Sequence, residues 1–106
     1  MTAAKAADPS GMAGERAWHQ RLLDVYGPLL TAHQREACDL HLDEDWSFTE
    51  IAERYRCSRS AAHDLVRRGI AQLEHLEERL GLAAELQRRD AVEDDLWRRL
   101  RARALP

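Results

Sequence analysis

Apolar residues recur every three to four positions through most of the chain, and the breaks between these runs mark out the elements. Trp18, Leu22, Val25 and Tyr26 share one face of 15–26, which predicts an amphipathic helix. Gly27-Pro28 ends it, since proline disfavours the helical conformation at the residue before it. Thr31 is placed to cap a second helix that reaches about Leu42 and turns Ala37, Cys38 and Leu42 inward. Asp43, Glu44 and Asp45 then form an acidic loop leading to Trp46. Ser47 and Glu50 supply an S-x-x-E capping box, and Phe48, Ile51, Ala52 and Tyr55 line one face of the short helix it opens. Arg56 and Cys57 fall in a turn. Ser58 caps a further helix, in which the small Ala61 and Ala62 permit a close crossing before Leu65, Val66 and Ile70 resume the apolar stripe. Helix, short turn, helix is the helix-turn-helix pattern, and binding is the function it points to.

Beyond the motif the period persists. Val66, Leu73 and Leu80 are seven apart, with Gly69 and Leu76 between them, so the second motif helix should run on to Leu80 and stop at Gly81. A last helix is expected over 82–102, with Leu82, Leu86, Val92, Leu96, Trp97 and Leu100 apolar and Arg88, Arg89 and Asp90 interrupting the stripe. Residues 1–14, small and polar with Pro9, Gly11 and Gly14, read as a disordered arm. The expected organisation is therefore an all-α fold: an arm (1–14), a helix-turn-helix domain with a long recognition helix (15–80), and a C-terminal helical extension (81–106). Val66, Leu73, Leu76, Leu80, Leu86, Leu96 and Leu100 are the candidate residues of a homodimer interface. A hairpin that folds the last helix back on the long one is the alternative.

If the motif reads DNA, the start of its second helix enters the major groove. Arg59, Ser60, His63, Asp64 and Arg67 would face it, with Thr49, Arg56, Ser58 and Arg68 alongside. Arg59, Ser60 and His63 are the candidate base readers, and Thr49, Arg67 and Arg68 the candidate phosphate contacts. Charge bears on this in two directions. Residues 43–80 hold nine acidic residues against six arginines, which weakens phosphate attraction. From Ser58 to Ile70, however, Arg59, Arg67 and Arg68 outnumber Asp64, so the groove-facing stretch itself is basic.

The stretch from Trp18 to about Leu80 resembles the YlxM-type proteins, small bacterial helix-turn-helix proteins similar to region four of sigma factors. Tyr26, Leu29, Leu30, Thr31, Gln34 and Arg35 stand at that family's opening positions, followed by Ser47, Glu50, Ile51 and Ala52 and then Ser58 and Arg59. The resemblance implies a bacterial cytoplasmic DNA-binding or regulatory protein. It also implies a link to the signal recognition particle pathway, since the family's genes tend to lie beside that of the particle's protein. A component of that particle is thus a candidate partner. In the competing reading the motif is a scaffold, and Asp43, Glu44, Asp45, Glu74, Glu77 and Glu78 form an acidic face for a basic protein.

Composition narrows the picture further. The 106 residues fit one small domain, and all but Lys5 of the cationic residues are arginine, which reads as coding bias. No apolar run approaches the roughly 20 residues that span a bilayer, so no membrane insertion is expected, and the N-terminal stretch lacks the core of a signal peptide. Two cysteines at non-motif spacing fit reduced thiols, both expected to pack as small hydrophobes. His63 and Asp64 are adjacent on one helix and diverge by about 100°, so with Ser58 they cannot form a triad. Cys38, His41, Cys57 and His63 match no zinc spacing. His19, His33 and His75 are expected to face solvent, and Trp18, Trp46 and Trp97 to anchor the core. No enzyme, cofactor, metal or small-molecule substrate is expected.

Overall fold

The computed structural model describes residues 12–104 and, among these, contains helices and no strand. Helix α1 (Met12–Tyr26) is followed by a 3-10 turn (Gly27–Leu29), α2 (Ala32–Cys38) with a π-helical turn (Asp39–Asp43), α3 (Phe48–Tyr55), α4 (Arg59–Leu80) and α5 (Leu82–Ala104). The all-α helix-turn-helix architecture is as expected. Helix α1 starts at Met12 where a start near Glu15 was expected, and the rest of the anticipated arm, 1–11, lies outside the described residues.

Each start is set by a side chain that satisfies otherwise unpaired backbone N–H groups. Thr31 and Gln34 form a reciprocal capping box, as do Ser47 and Glu50; the latter pair exchanges bonds of 3.1 and 2.8 Å. The Gln34 half of the first box adds to the cap expected at Thr31. The second departure is the π turn, where a plain helix to Leu42 was expected. The Glu44 N–H closes it on the Asp39 carbonyl at 3.1 Å, and the Leu42 carbonyl in its last turn accepts from Arg16 at 2.7 Å and Gln20 at 2.6 Å, both on α1. Long-range side chains thus satisfy the terminus that local sequence leaves open.

Two apolar clusters share α2 and α4. Leu22, Leu23, Tyr26, Leu30, Cys38, Leu42, Leu73 and Ala83 form one, joining α1 to the far half of α4. Ala37, Leu40, Ile51, Ala52, Ala62 and Val66 form the other, beneath the helix-turn-helix. Ile70 packs against both. Val66 and Leu73, expected at a dimer interface, are fully buried within the single chain, and Leu76 packs against the first cluster. The long helix therefore spends most of its apolar stripe on its own head, and of that stripe Leu80, at the end of α4, is left 61% exposed. Trp97 also departs from expectation: it is 53% exposed, whereas Trp18 and Trp46 do pack against the clusters.

The α4–α5 corner is held by one carboxylate. Gly81 adopts φ +64, the left-handed conformation glycine takes without a side-chain penalty. Glu77 Oε1 accepts from Tyr26 Oη (2.6 Å) and from the Ala83 N–H (2.9 Å), while its Oε2 accepts from the Ala84 N–H (3.0 Å). Tyr26 Oη in turn accepts from the Leu82 N–H at 3.1 Å. A carboxylate at a helix N-terminus is favourable both for the hydrogen bonds and for the helix dipole. Burial, with the Glu77 bond, raises the Tyr26 pKa, which keeps the phenol protonated as a donor.

Replacing Tyr26 with Phe removes a donor to a carboxylate and an acceptor for Leu82, and should cost about 1–3 kcal/mol in urea unfolding. A second test addresses the helix crossing: a methyl at Gly69 would lie 2.5 Å from Cys38 Sγ. Gly69→Ala should therefore destabilise by about 1–3 kcal/mol despite alanine's better helix propensity. The loss should shrink in a Cys38→Ala background, and a double-mutant cycle measures that coupling.

Candidate nucleic-acid interface

The motif is built by α3, a tight turn and the start of α4. Arg56 closes α3 in the left-handed conformation (φ 56), and its N–H and that of Cys57 return to the carbonyls of the last turn. Ser58 Oγ accepts from the Ala61 N–H at 3.0 Å and opens α4. Ala62 and Ile51 are both completely buried, so the two helices cross on small and branched side chains, whereas Ala61 is exposed. Ser58 thus has a defined structural task, its hydroxyl being engaged within the first turn of α4.

With Ala62 and Val66 turned inward, Arg59, Ser60, His63 and Arg67 all lie exposed on one side of α4 within about 100° of arc. Asp64 and Arg68 border this side, and Thr49 and Arg56 are exposed on the neighbouring helix and turn. Phe48 anchors the arrangement from α3. His41 stacks on its ring (centroids 4.5 Å, 18°), His63 meets it edge-on at 4.8 Å, and the Arg59 guanidinium lies over it at 5.8 Å. That cation–π contact holds the long Arg59 side chain near the helix start.

Asp64, the acid that counts against DNA in the sequence, accepts from Arg67 at 2.7 Å and pairs with Arg68 at 2.8 Å. The hydrogen bond from Arg67, helped by both arginine charges, lowers its pKa. Its charge is locally compensated and aligns two cations along the helix. Tyr55 and Arg54 tie α3 to α2 through Glu36, at 2.5 and 3.3 Å. Burial and the Glu36 bond push the Tyr55 hydroxyl up to about 12.

Tertiary structure adds one feature that no local pattern signals. A cleft of about 450 Å³ runs between α1 and α4 and is lined by His19, His41, Phe48, His63, Arg67 and Glu74 among others. Its histidines come from three separate elements, so no spacing rule could have grouped them. His19, expected in solvent, has a side chain only 12% exposed and contacts Glu74 through Nε2 at 2.8 Å. The two cysteines also separate: Cys38 is buried and Cys57 exposed, so the expectation that both pack as small hydrophobes holds only for Cys38. Among the described residues no group of three or more His, Cys, Asp or Glu could hold a metal ion, and no helix is long and apolar enough to cross a membrane.

Two capped helices crossing at Ala62, with a cationic exposed start to the second, define a helix-turn-helix protein. Residues 14–104 match the family described as "Putative helix-turn-helix protein, YlxM / p13 like", UPF0122, and the chain belongs to that family. A UPF0122 protein of Symbiobacterium thermophilum is 48% identical over 75 residues, covering 71% of this chain and 70% of the relative. One from Acetivibrio thermocellus is 51% identical over 61 residues, covering 58% of this chain and 52% of the relative. A third, from Geobacillus kaustophilus, is 45% identical over 71 residues, covering 67% and 64%.

Burial raises the Cys38 thiol to about 11, which leaves it un-ionised as well as inaccessible at neutral pH. Iodoacetamide should therefore label the native protein once, at Cys57, and a second time only after unfolding. Intact-mass measurement with peptide mapping reads the outcome.

Proposed function

We propose that this protein is a DNA-binding regulator that places the start of α4 in the major groove, in the manner of sigma-factor region four. The observation that carries this reading is the exposed face of Arg59, Ser60, His63 and Arg67 on α4, beside an acid whose charge two arginines already compensate. Arg59, Ser60 and His63 contact base edges. Thr49, Arg67 and Arg68 hold the phosphates, and Arg56 flanks them from the turn. The acidic surroundings lower the non-specific affinity, so binding is selective and sensitive to salt. The YlxM resemblance supports a regulatory role in the signal recognition particle pathway.

A second reading has its own observation. Asp43, Glu44, Asp45 and Glu78 are all exposed, and Asp45 is held by Arg16 at 3.0 Å in a left-handed backbone conformation (φ 62). An acidic face of this kind suits an adaptor that docks on a basic component of the particle, with the motif serving as scaffold.

Selection from random DNA duplexes at low and physiological salt separates the two. Enrichment of a defined site supports the DNA reading; no enrichment, with weak binding lost at physiological salt, supports the adaptor. Within the DNA reading, Arg59→Ala should relax preference at one base position at a cost of about 1–3 kcal/mol. Arg68→Ala should weaken all sequences alike and reduce the salt slope by about 1. Identical, salt-independent effects of the two variants would remove this division of roles.

A further inference from the structure

Helix α5 carries more apolar surface than the chain covers. Ala83 is fully buried, and Asp90 pairs with Arg21 of α1 at 2.7 Å, which fixes the first turns on the head. Beyond that tie, Val92, Leu96, Trp97 and Leu100 are 60, 54, 53 and 46% exposed, and Leu82 at the other end is 46% exposed.

Leu82, Leu96 and Leu100 belong to a repeat, which Val92 and Trp97 flank. Leu82, Leu86, Arg89, Glu93, Leu96, Leu100 and Arg103 follow one another at alternating steps of four and three, the period of a coiled-coil seam. The two charges in the middle of the seam decide its partner. When two copies lie antiparallel, one register sets Leu82 against Leu100, Leu86 against Leu96 and Arg89 against Glu93, each contact occurring twice by symmetry. Val92 then meets Val92 of the second copy near the two-fold axis, and Glu85 flanks Arg99. A parallel pair sets Arg89 on Arg89 and Glu93 on Glu93. An antiparallel pair slipped by one heptad sets Arg89 on Leu100 and Glu93 on Leu96. Only the first arrangement matches apolar with apolar and Arg89 with Glu93 along the seam; on the flank away from Val92, Asp90 approaches Asp90 of the second copy, each with Arg21 of its own chain as counter-charge.

We infer that α5 is a self-complementary dimerisation helix whose partner is a second copy of this chain, antiparallel, with Arg89 and Glu93 setting the register. Leu82, Leu86, Leu96 and Leu100 form its apolar contacts. Arg89, now paired with Glu85 at 3.2 Å, exchanges that partner for Glu93 of the second copy, while Glu85 keeps Arg88. The overlap of 82–100 is about 28 Å long, and a single helix pair of that length lies near the lower bound of about 1,200 Å² for specific interfaces. The dimer is therefore reversible, and it forms whether or not α4 binds DNA.

Sedimentation equilibrium of the intact chain from about 1 to 200 µM tests this. The expected result is a monomer–dimer equilibrium that Leu96→Asp with Leu100→Asp abolishes; both leucines are exposed in the single chain, so helicity by circular dichroism should persist. Arg89→Glu and Glu93→Arg should each weaken the dimer at least about tenfold. Combining the two reversals in one chain should restore it, because each cross-chain pair would again join opposite charges, with the signs exchanged. A chain monomeric at the highest concentration overturns the inference. So does a dimer indifferent to the leucine substitutions or to the single reversals.

Discussion

One buried stripe along α4 supports everything else in the molecule. Ala62, Val66, Gly69 and Leu73 follow at steps of four, three and four and are all buried, so a single face of a 22-residue helix serves as the wall of two cores. Its residues are small where another helix must come close. Ala62 lets α3 cross, and Gly69 admits Cys38 of α2. Larger side chains at either place would push the helices apart and expose both clusters. Because that face is consumed, the flank beside it is left to solvent, and with it Arg59, Ser60, His63 and Arg67.

The electrostatics follow from the same geometry. Several carboxylates of this acidic chain are engaged locally: Asp64 by Arg67 and Arg68, Glu36 by Arg54, Glu77 by Tyr26 and the start of α5. Such exposed pairs contribute little to stability. Their effect is on orientation, since each holds a long arginine in one place. Glu77 differs in kind, because its oxygens replace the missing backbone partners of α5 and so fix where that helix leaves the head.

Much was legible in advance. The Ser47/Glu50 box, the Ser58 cap, the Gly81 stop and the inward faces of α1 to α4 are local properties: a capping side chain reaches only its own first turn, and helical periodicity needs only the chain's own geometry. The π turn at 39–43 was not legible, because the side chains that satisfy its Leu42 carbonyl, Arg16 and Gln20, lie on α1. Nor was the fate of individual apolar residues. Val66 and Leu73 carry the same pattern as Leu96 and Leu100, yet the first two are covered by the chain's own helices and the last two are not.

The sequence by itself determined most of the helices, the caps at Thr31, Ser47, Ser58 and Gly81 and the helix-turn-helix order, since these depend on contacts between residues a few positions apart. Tertiary structure decided which stripes are core and which are surface, gathered His19, His41 and His63 on one cleft, exposed Cys57 while burying Cys38, and brought Tyr26 to Glu77. Periodicity says which residues share a face; only the arrangement of the other helices says what that face meets.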